Sequence, residues 1–223
     1  MRVISICNSK GGVGKTTIAR ALAVLAAEEG QRVALVDLDP QGTLSGWWER
    51  RGAPDNPSLM RNAPGPADAV EALGLEGYDF IVFDTAPAFL HEMTEALTAS
   101  DFAILPTRPD VDNIKSTRDA IVLARKAKTP FLVVINQASS QSKQPEQTQA
   151  ALKAAGVDIA DTIIFHRISH SQASDTGRAV VDPDMKDRGS KAAAAEMRAL
   201  WAEIKAAVEA TPEKHAEVRH GDA

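Results

Sequence analysis

One cysteine in 223 residues, Cys7, has no partner for a disulfide and cannot build a cysteine-rich zinc or iron–sulfur site. Long apolar runs are missing too: none approaches the roughly 18 residues of a membrane-spanning helix. The first strand-like run begins at Val3, which leaves no room for a signal peptide ahead of it. The expectation is a cytoplasmic chain in a reducing compartment, without membrane attachment. An excess of basic residues is also absent. The formal net charge of −5 excludes a chain coated in cations and confines any contact with nucleic acid to a local patch.

What is present is a series of short apolar runs separated by helical segments. They are Val3–Cys7, Val33–Val36, Phe80–Phe83, Phe102–Leu105, Phe131–Ile135 and Thr162–Phe165. Runs apolar on both faces, with helices between them, predict an α/β fold: a mostly parallel central sheet with helices on both faces. With no internal repeat and no linker, residues 1–210 read as one domain. Gly52–Pro66, with four prolines, reads as an irregular connection holding one short edge strand near Leu59. Trp47 and Trp48 fall about 100° apart on a helix, so one is expected to pack and the other to reach the rim or a partner surface. Met197, Leu200, Trp201, Ile204 and Val208 form the docking stripe of a last helix stopped at Thr211-Pro212. Residues 211–223 are expected to be a polar, disordered tail.

Chemistry concentrates between the first run and the helix after it, in Lys10, Gly11, Gly12, Val13, Gly14, Lys15, Thr16 and Thr17. Strand, glycine-rich turn and helix is the setting of a phosphate-binding loop. Glycines let the backbone curl and aim successive N–H groups at one anion, and the helix N-terminus adds its dipole. Lys15 supplies a mobile charge for β- and γ-phosphates, and the Thr16 hydroxyl is placed for Mg²⁺. Asp37 and Asp39, closing the second run beside this loop, are well placed for Mg²⁺ or for water. Asp84, closing the run Phe80–Phe83, is placed to accept from Mg²⁺-bound water and from Thr16.

The general pattern G-x-x-x-x-G-K-[ST] asks for glycine where this chain has Ser9, and the chain adds Lys10 at the loop's mouth. K-G-G-V-G-K-T-T is the "deviant" form of that loop, and in it the sequence resembles the ParA/MinD family of ATPases. Asp37-Leu-Asp39-Pro40-Gln41-Gly42 and Asp84-Thr85-Ala86-Pro87 match that family's next motifs. The resemblance implies a P-loop ATPase using ATP and Mg²⁺. In it Lys10 reaches across a homodimer to the partner's nucleotide, Asp39 orients the attacking water, and Asp37 supports the metal and switch geometry. Asn136, ending the run Phe131–Ile135, is implied to bond adenine. The GTPase pattern N-K-x-D is missing from Asn136-Gln137-Ala138-Ser139, which favours ATP over GTP.

The same resemblance implies cargo positioning: non-specific DNA contact on the nucleoid and a ParB-like or adaptor partner that stimulates hydrolysis. Arg167, Lys186, Arg188 and Lys191 are the candidate DNA contacts. From Arg167 to Lys205 seven basic residues face six acidic ones, so composition itself gives no nucleic-acid signal. The alternatives are a P-loop metabolic or kinase-type enzyme and a protein-only ATPase scaffold. A tyrosine kinase of this class carries a C-terminal tyrosine cluster, and the chain has Tyr78 alone.

Overall fold

Alternating burial explains why the runs become strands. In the computed structural model, which describes residues 1–61, 63–87 and 90–215, Ile4, Ile6, Val33, Leu35, Phe80 and Val82 point into one core. Their neighbours Val3, Ala34, Val36, Ile81 and Phe83 point into another on the opposite face. Neither face meets water, so only a sheet covered on both sides accommodates them.

Six strands form it: β1 (Arg2–Ile6), β2 (Val33–Asp37), β3 (Ser58–Met60), β4 (Phe80–Asp84), β5 (Phe102–Thr107) and β6 (Phe131–Ile135). Their order is β3-β2-β4-β1-β5-β6, and every pairing is parallel. The connecting helices are α1 (Lys15–Glu28), α2 (Thr43–Arg50), α3 (Pro66–Leu75), α4 (Leu90–Thr98), α5 (Val111–Lys126), α6 (Gln144–Ala154), α7 (Ile168–Asp175) and α8 (Arg188–Glu209). Residues of α1, α2, α7 and α8 share the first core; α3 packs in the second, and α4 and α5 meet over the other half of that face. The expected edge strand is β3, and the expected stripe on α8 is buried throughout.

Register sets up the site. Ile6 lies opposite Asp84, and Asp84 lies opposite Asp37. Three strands therefore end level, and the glycine-rich loop, Asp84 and Asp37 emerge together at the carboxyl edge of the sheet. Open parallel sheets bind ligands at that edge.

Two expectations are corrected. Thr162–Phe165 is not a strand. It runs beside β6 through isolated bridges, Val133 to Ile159 and Ala138 to Phe165. Ile164 N–H still donates to the Ile135 carbonyl and His166 N–H to the Ala138 carbonyl, each at 2.9 Å, but the Thr162 amide that would continue the ladder donates to Glu203 of α8 at 2.8 Å. The tail is not free at its start. Arg2 donates to the Thr211 carbonyl at 2.9 Å, and Lys214 N–H to the buried Asp101 carboxylate at 2.6 Å. Glu213 pairs with the amino group of Met1. These contacts strap Thr211–His215 under the sheet; the rest of the expected tail, 216–223, lies outside the described residues.

Trp47 is fully buried and donates to the Arg178 carbonyl at 3.0 Å. Trp48 is half-buried on the rim, donating to the Pro57 carbonyl at 2.9 Å beneath the Arg61 guanidinium. Cys7 is fully buried, and burial pushes its thiol up to about 11, so it behaves as a small hydrophobe. Among the described residues, no helix is long and apolar enough to cross a membrane.

Candidate functional site

The glycine-rich loop is shaped from outside. Gly12 (φ 71°) and Gly14 (φ 94°) occupy the left-handed region, where a side chain is strained. The Gly12 carbonyl accepts from Arg108 Nη2 at 2.6 Å and Gln137 Nε2 at 2.9 Å, and the Val13 carbonyl accepts from Asn136 Nδ2 at 2.7 Å. In a peptide unit the carbonyl and the N–H point in opposite directions. Pinning the carbonyls outward therefore turns the N–H groups toward the loop's interior, forming an anion nest. A Cβ on Gly14 would come within 2.1 Å of Asn136 Nδ2, so only glycine fits there. Gly14 caps α1 without a side-chain hydrogen bond, which leaves the helix's first amides to a ligand.

Inside the loop, Lys15 is 7% exposed, and its ammonium donates to the carbonyls of Asn8 and Lys10, both at 3.2 Å. Burial lowers its pKa, while Asp84 and then Asp39 act to keep it charged. Asn8, fully buried, locks the loop's entry. Its Oδ1 accepts from Lys10 N–H at 2.9 Å, and its Nδ2 donates to the Pro106 carbonyl at 2.8 Å.

Three carboxylates stand beside the loop with different burdens. Asp84 is 1% exposed, and among the described residues neither of its oxygens has a hydrogen-bond partner of ordinary geometry. Burial pushes it up to about 7, and Asp37 adds to the rise; the nearby Thr16 hydroxyl, Lys15 and Arg20 draw it down. A buried carboxylate without donors, facing a threonine hydroxyl at the mouth of an anion nest, fits Mg²⁺. That ion takes one or two protein oxygens and fills its other positions with phosphate and water. Among the described residues no cluster of three His, Cys, Asp or Glu side chains forms, so the metal would need those outside ligands.

Asp37 is instead hydrogen-bonded within the protein. Its Oδ2 accepts from Ser45 N–H and hydroxyl, each at 2.8 Å, and its Oδ1 from Asp39 N–H at 3.1 Å. It holds the turn that presents Asp39. Asp39 accepts from Gln41 N–H at 2.9 Å and is half-buried, with a side chain the solvent can reach. Lys10 sits half-buried at the mouth. Among the described residues its ammonium forms no ion pair.

Lys10, Gly11 to Thr17, Asp37, Asp39, Asp84 and Asn136 thus converge on one edge of the sheet. Beside them a cleft of about 350 Å³ opens between Thr17, Gln137, Phe165 and His170. The candidate DNA residues differ in their surroundings. Arg167 is bound to Glu196 through Nε and Nη2, whereas Lys186, Arg188 and Lys191 are exposed around the start of α8. Sequence reasoning missed Asn8, Arg108, Gln137 and Arg20. Each acts through hydrogen bonds to distant backbone carbonyls, for which a sequence carries no periodic or motif signal.

Comparison with known proteins agrees with this geometry. The sequence pattern of the CobQ/CobB/MinD/ParA nucleotide binding domain matches residues 4–180. Maintenance of carboxysome distribution protein A of Gloeobacter kilaueensis is 31% identical, over 91% of this chain and 94% of its own length. Chromosome partitioning protein ParA of Caulobacter vibrioides is 28% identical, over 86% and 91%. Among solved structures, an ATP complex of a Cyanothece McdA variant superposes with a TM-score of 0.69. It covers 94% of this chain and 96% of that one, at 18% identity, which speaks for the fold alone.

Proposed function

The chain belongs to the CobQ/CobB/MinD/ParA nucleotide-binding family, and from that premise we propose that it is a ParA-type ATPase that positions a cargo. It closes on Mg²⁺ and ATP into a sandwich dimer, and the dimer binds DNA without reading its sequence. A ParB-like or adaptor protein stimulates hydrolysis and releases it. Relatives named for chromosome partitioning and for carboxysome distribution leave plasmid, chromosome locus and protein compartment all within reach as cargo. The site of action is the nucleoid.

Each residue has a task in this reading. The loop amides and Lys15 bind the β- and γ-phosphates. Thr16 and Asp84 would hold Mg²⁺, which would neutralise charge gathering on the phosphate oxygens. Asp37 holds the turn and Asp39 orients the attacking water. Asn136, whose Nδ2 is committed to the Val13 carbonyl, keeps its amide oxygen for the adenine amino group. Lys10 stabilises the partner's γ-phosphate, so hydrolysis needs two subunits.

The observation that carries this reading is the pair of lysines. Lys15 is folded into its own loop by two carbonyls, while Lys10, five residues earlier, forms no ion pair at the mouth among the described residues. A seven-to-six charge balance and the Arg167–Glu196 pair favour, as second reading, an ATPase scaffold that binds only protein. Anisotropy of a random-sequence duplex with ATP, ADP or neither, across a salt series, separates the two. DNA binding only with ATP, weakening on a log–log salt plot in proportion to the phosphates contacted, supports the first. Equal binding in all three nucleotide states, or none, removes DNA from the cycle.

A further inference from the structure

Arg20 is buried where helix packing alone calls for no charge. It lies on α1, five residues beyond Lys15, and is 6% exposed. Among the described residues no carboxylate comes within ion-pair distance of it, and its Nε is buried without a partner. A buried charge with no close counter-ion is costly, and although Asp84 and Asp37 act on it from farther off, its direct contacts are what hold it in place. There are two hydrogen bonds: Nη2 donates to the Thr43 carbonyl at 3.0 Å and Nη1 to the Ser174 hydroxyl at 2.6 Å. The guanidinium also stands 5.6 Å from the Trp47 ring centroid.

One acceptor adjoins the turn that presents Asp39, and the other lies on α7, which packs against the helix after that turn. Thr43 opens α2 directly after the turn Asp39–Gly42, which closes on itself through Gly42 N–H to the Asp39 carbonyl at 2.8 Å. From the front that turn is held by Asp37, bonded to Ser45. From behind it is held by Arg20. Ser174, near the end of α7, is gripped a second time by Arg50 Nε on its carbonyl at 3.3 Å. Nearby, α2 and the segment after α7 meet so closely that a Cβ on Gly177 would lie 2.4 Å from the backbone of Arg50 and Arg51. Arg51 adds a bidentate pair to Asp182, 2.7 Å at each oxygen.

We propose that Arg20 is a positioning residue for hydrolysis. Through the Thr43 carbonyl it fixes the turn that presents Asp39, and through Ser174 it ties that turn to α7 and the basic start of α8. The inference rests on the reading of Asp39 as the water-orienting carboxylate. Arg20 borders the cleft beside the loop and acts on Asp84 from a distance, but its two bonded nitrogens are committed to Thr43 and Ser174 while the loop's carbonyls are held by Asn136, Gln137 and Arg108, so its loss is expected to change hydrolysis more than nucleotide affinity.

The test compares Arg20→Gln, Arg20→Lys, Ser174→Ala and Asp39→Ala by binding of a fluorescent ATP analogue and by single-turnover ATP hydrolysis. Arg20→Gln is expected to bind within about twofold of wild type and to hydrolyse about tenfold slower or worse, the size of one lost charge-assisted hydrogen bond in the transition state. Arg20→Lys, which reaches one acceptor, falls between. Ser174→Ala moves the same way by less, and the Arg20→Gln/Ser174→Ala pair falls short of additivity. Wild-type hydrolysis in Arg20→Gln, or affinity falling in step with rate, overturns the proposal. If Arg20→Gln does not fold, Ser174→Ala decides alone, since it removes one hydroxyl. If Asp39→Ala itself hydrolyses normally, the reading of Asp39 fails; if Asp39→Ala is inactive while the Arg20 and Ser174 variants are normal, only the role of Arg20 does.

Discussion

Replacing Asp84 with asparagine is expected to stabilise the nucleotide-free protein at neutral and alkaline pH while abolishing its metal-dependent function. The unfolded carboxyl titrates near its ordinary 3.8; the folded one, desolvated and beside Asp37, titrates at about 7. Between those values the folded chain keeps a proton that the unfolded chain has lost. Stability therefore falls as pH rises through this window, and the loss is complete above pH 7. Moving a carboxyl that far costs about 4 kcal/mol when it is charged, against between about 1 and 2 kcal/mol at pH 5. Urea unfolding at pH 5 and pH 8 reads this directly. The asparagine variant should exceed wild type by about 4 kcal/mol at pH 8, with the gap shrinking by about 2–3 kcal/mol at pH 5. Other carboxylates cancel, since both proteins carry them. Preformed Mg²⁺·ATP should reverse the order, because the cation replaces the proton. Wild type should then release up to about one more proton than the variant at pH 6, measured by calorimetry in buffers of different ionisation enthalpy. A stability gap that does not change with pH would refute the desolvation argument.

Lys15→Ala should abolish ATP binding while leaving the fold intact, checked by calorimetry alongside circular dichroism. Asn136→Ala takes the donor from the Val13 carbonyl and the acceptor proposed for adenine, and should weaken ATP binding by about tenfold or more, the worth of at least one buried hydrogen bond; unchanged affinity would contradict both roles. Gly11 and Gly12 should separate. Valine at Gly12 is strained by φ 71° and should damage ATP binding itself, whereas a Cβ at Gly11 meets only Pro87 at 3.8 Å, so Gly11→Val should bind ATP and reveal any contact made across a dimer. Equal ATP affinity in the two valine variants would contradict this distinction.

Much of this was legible in the residues because it is local or periodic. The loop from Lys10 to Thr17 carries its chemistry in consecutive positions, and Phe80–Asp84 announces both a doubly covered strand and a carboxylate at its end. Asp37 was legible as an acid at the right edge, but not as one whose oxygens Ser45 and Asp39 already occupy, since that depends on how the following turn folds back. Thr162–Phe165 misled for a related reason: its apolar pattern suits a strand, while Glu203, far along the chain, captures the Thr162 amide that would continue the ladder. Arg108 and Gln137 converge on the Gly12 carbonyl from the segments that follow two neighbouring strands, β5 and β6. Register alone brings them there, and no spacing in the chain encodes it.

Sedimentation of the Asp39→Ala protein with Mg²⁺·ATP, beside the same protein carrying Lys10→Ala, tests the two-subunit cycle most directly. Asp39→Ala should hold ATP unhydrolysed and sediment at twice the monomer mass, while the added Lys10→Ala change should return it to monomer with ATP still bound. A monomer in the first case, or an equally stable dimer in the second, would contradict the role given to Lys10.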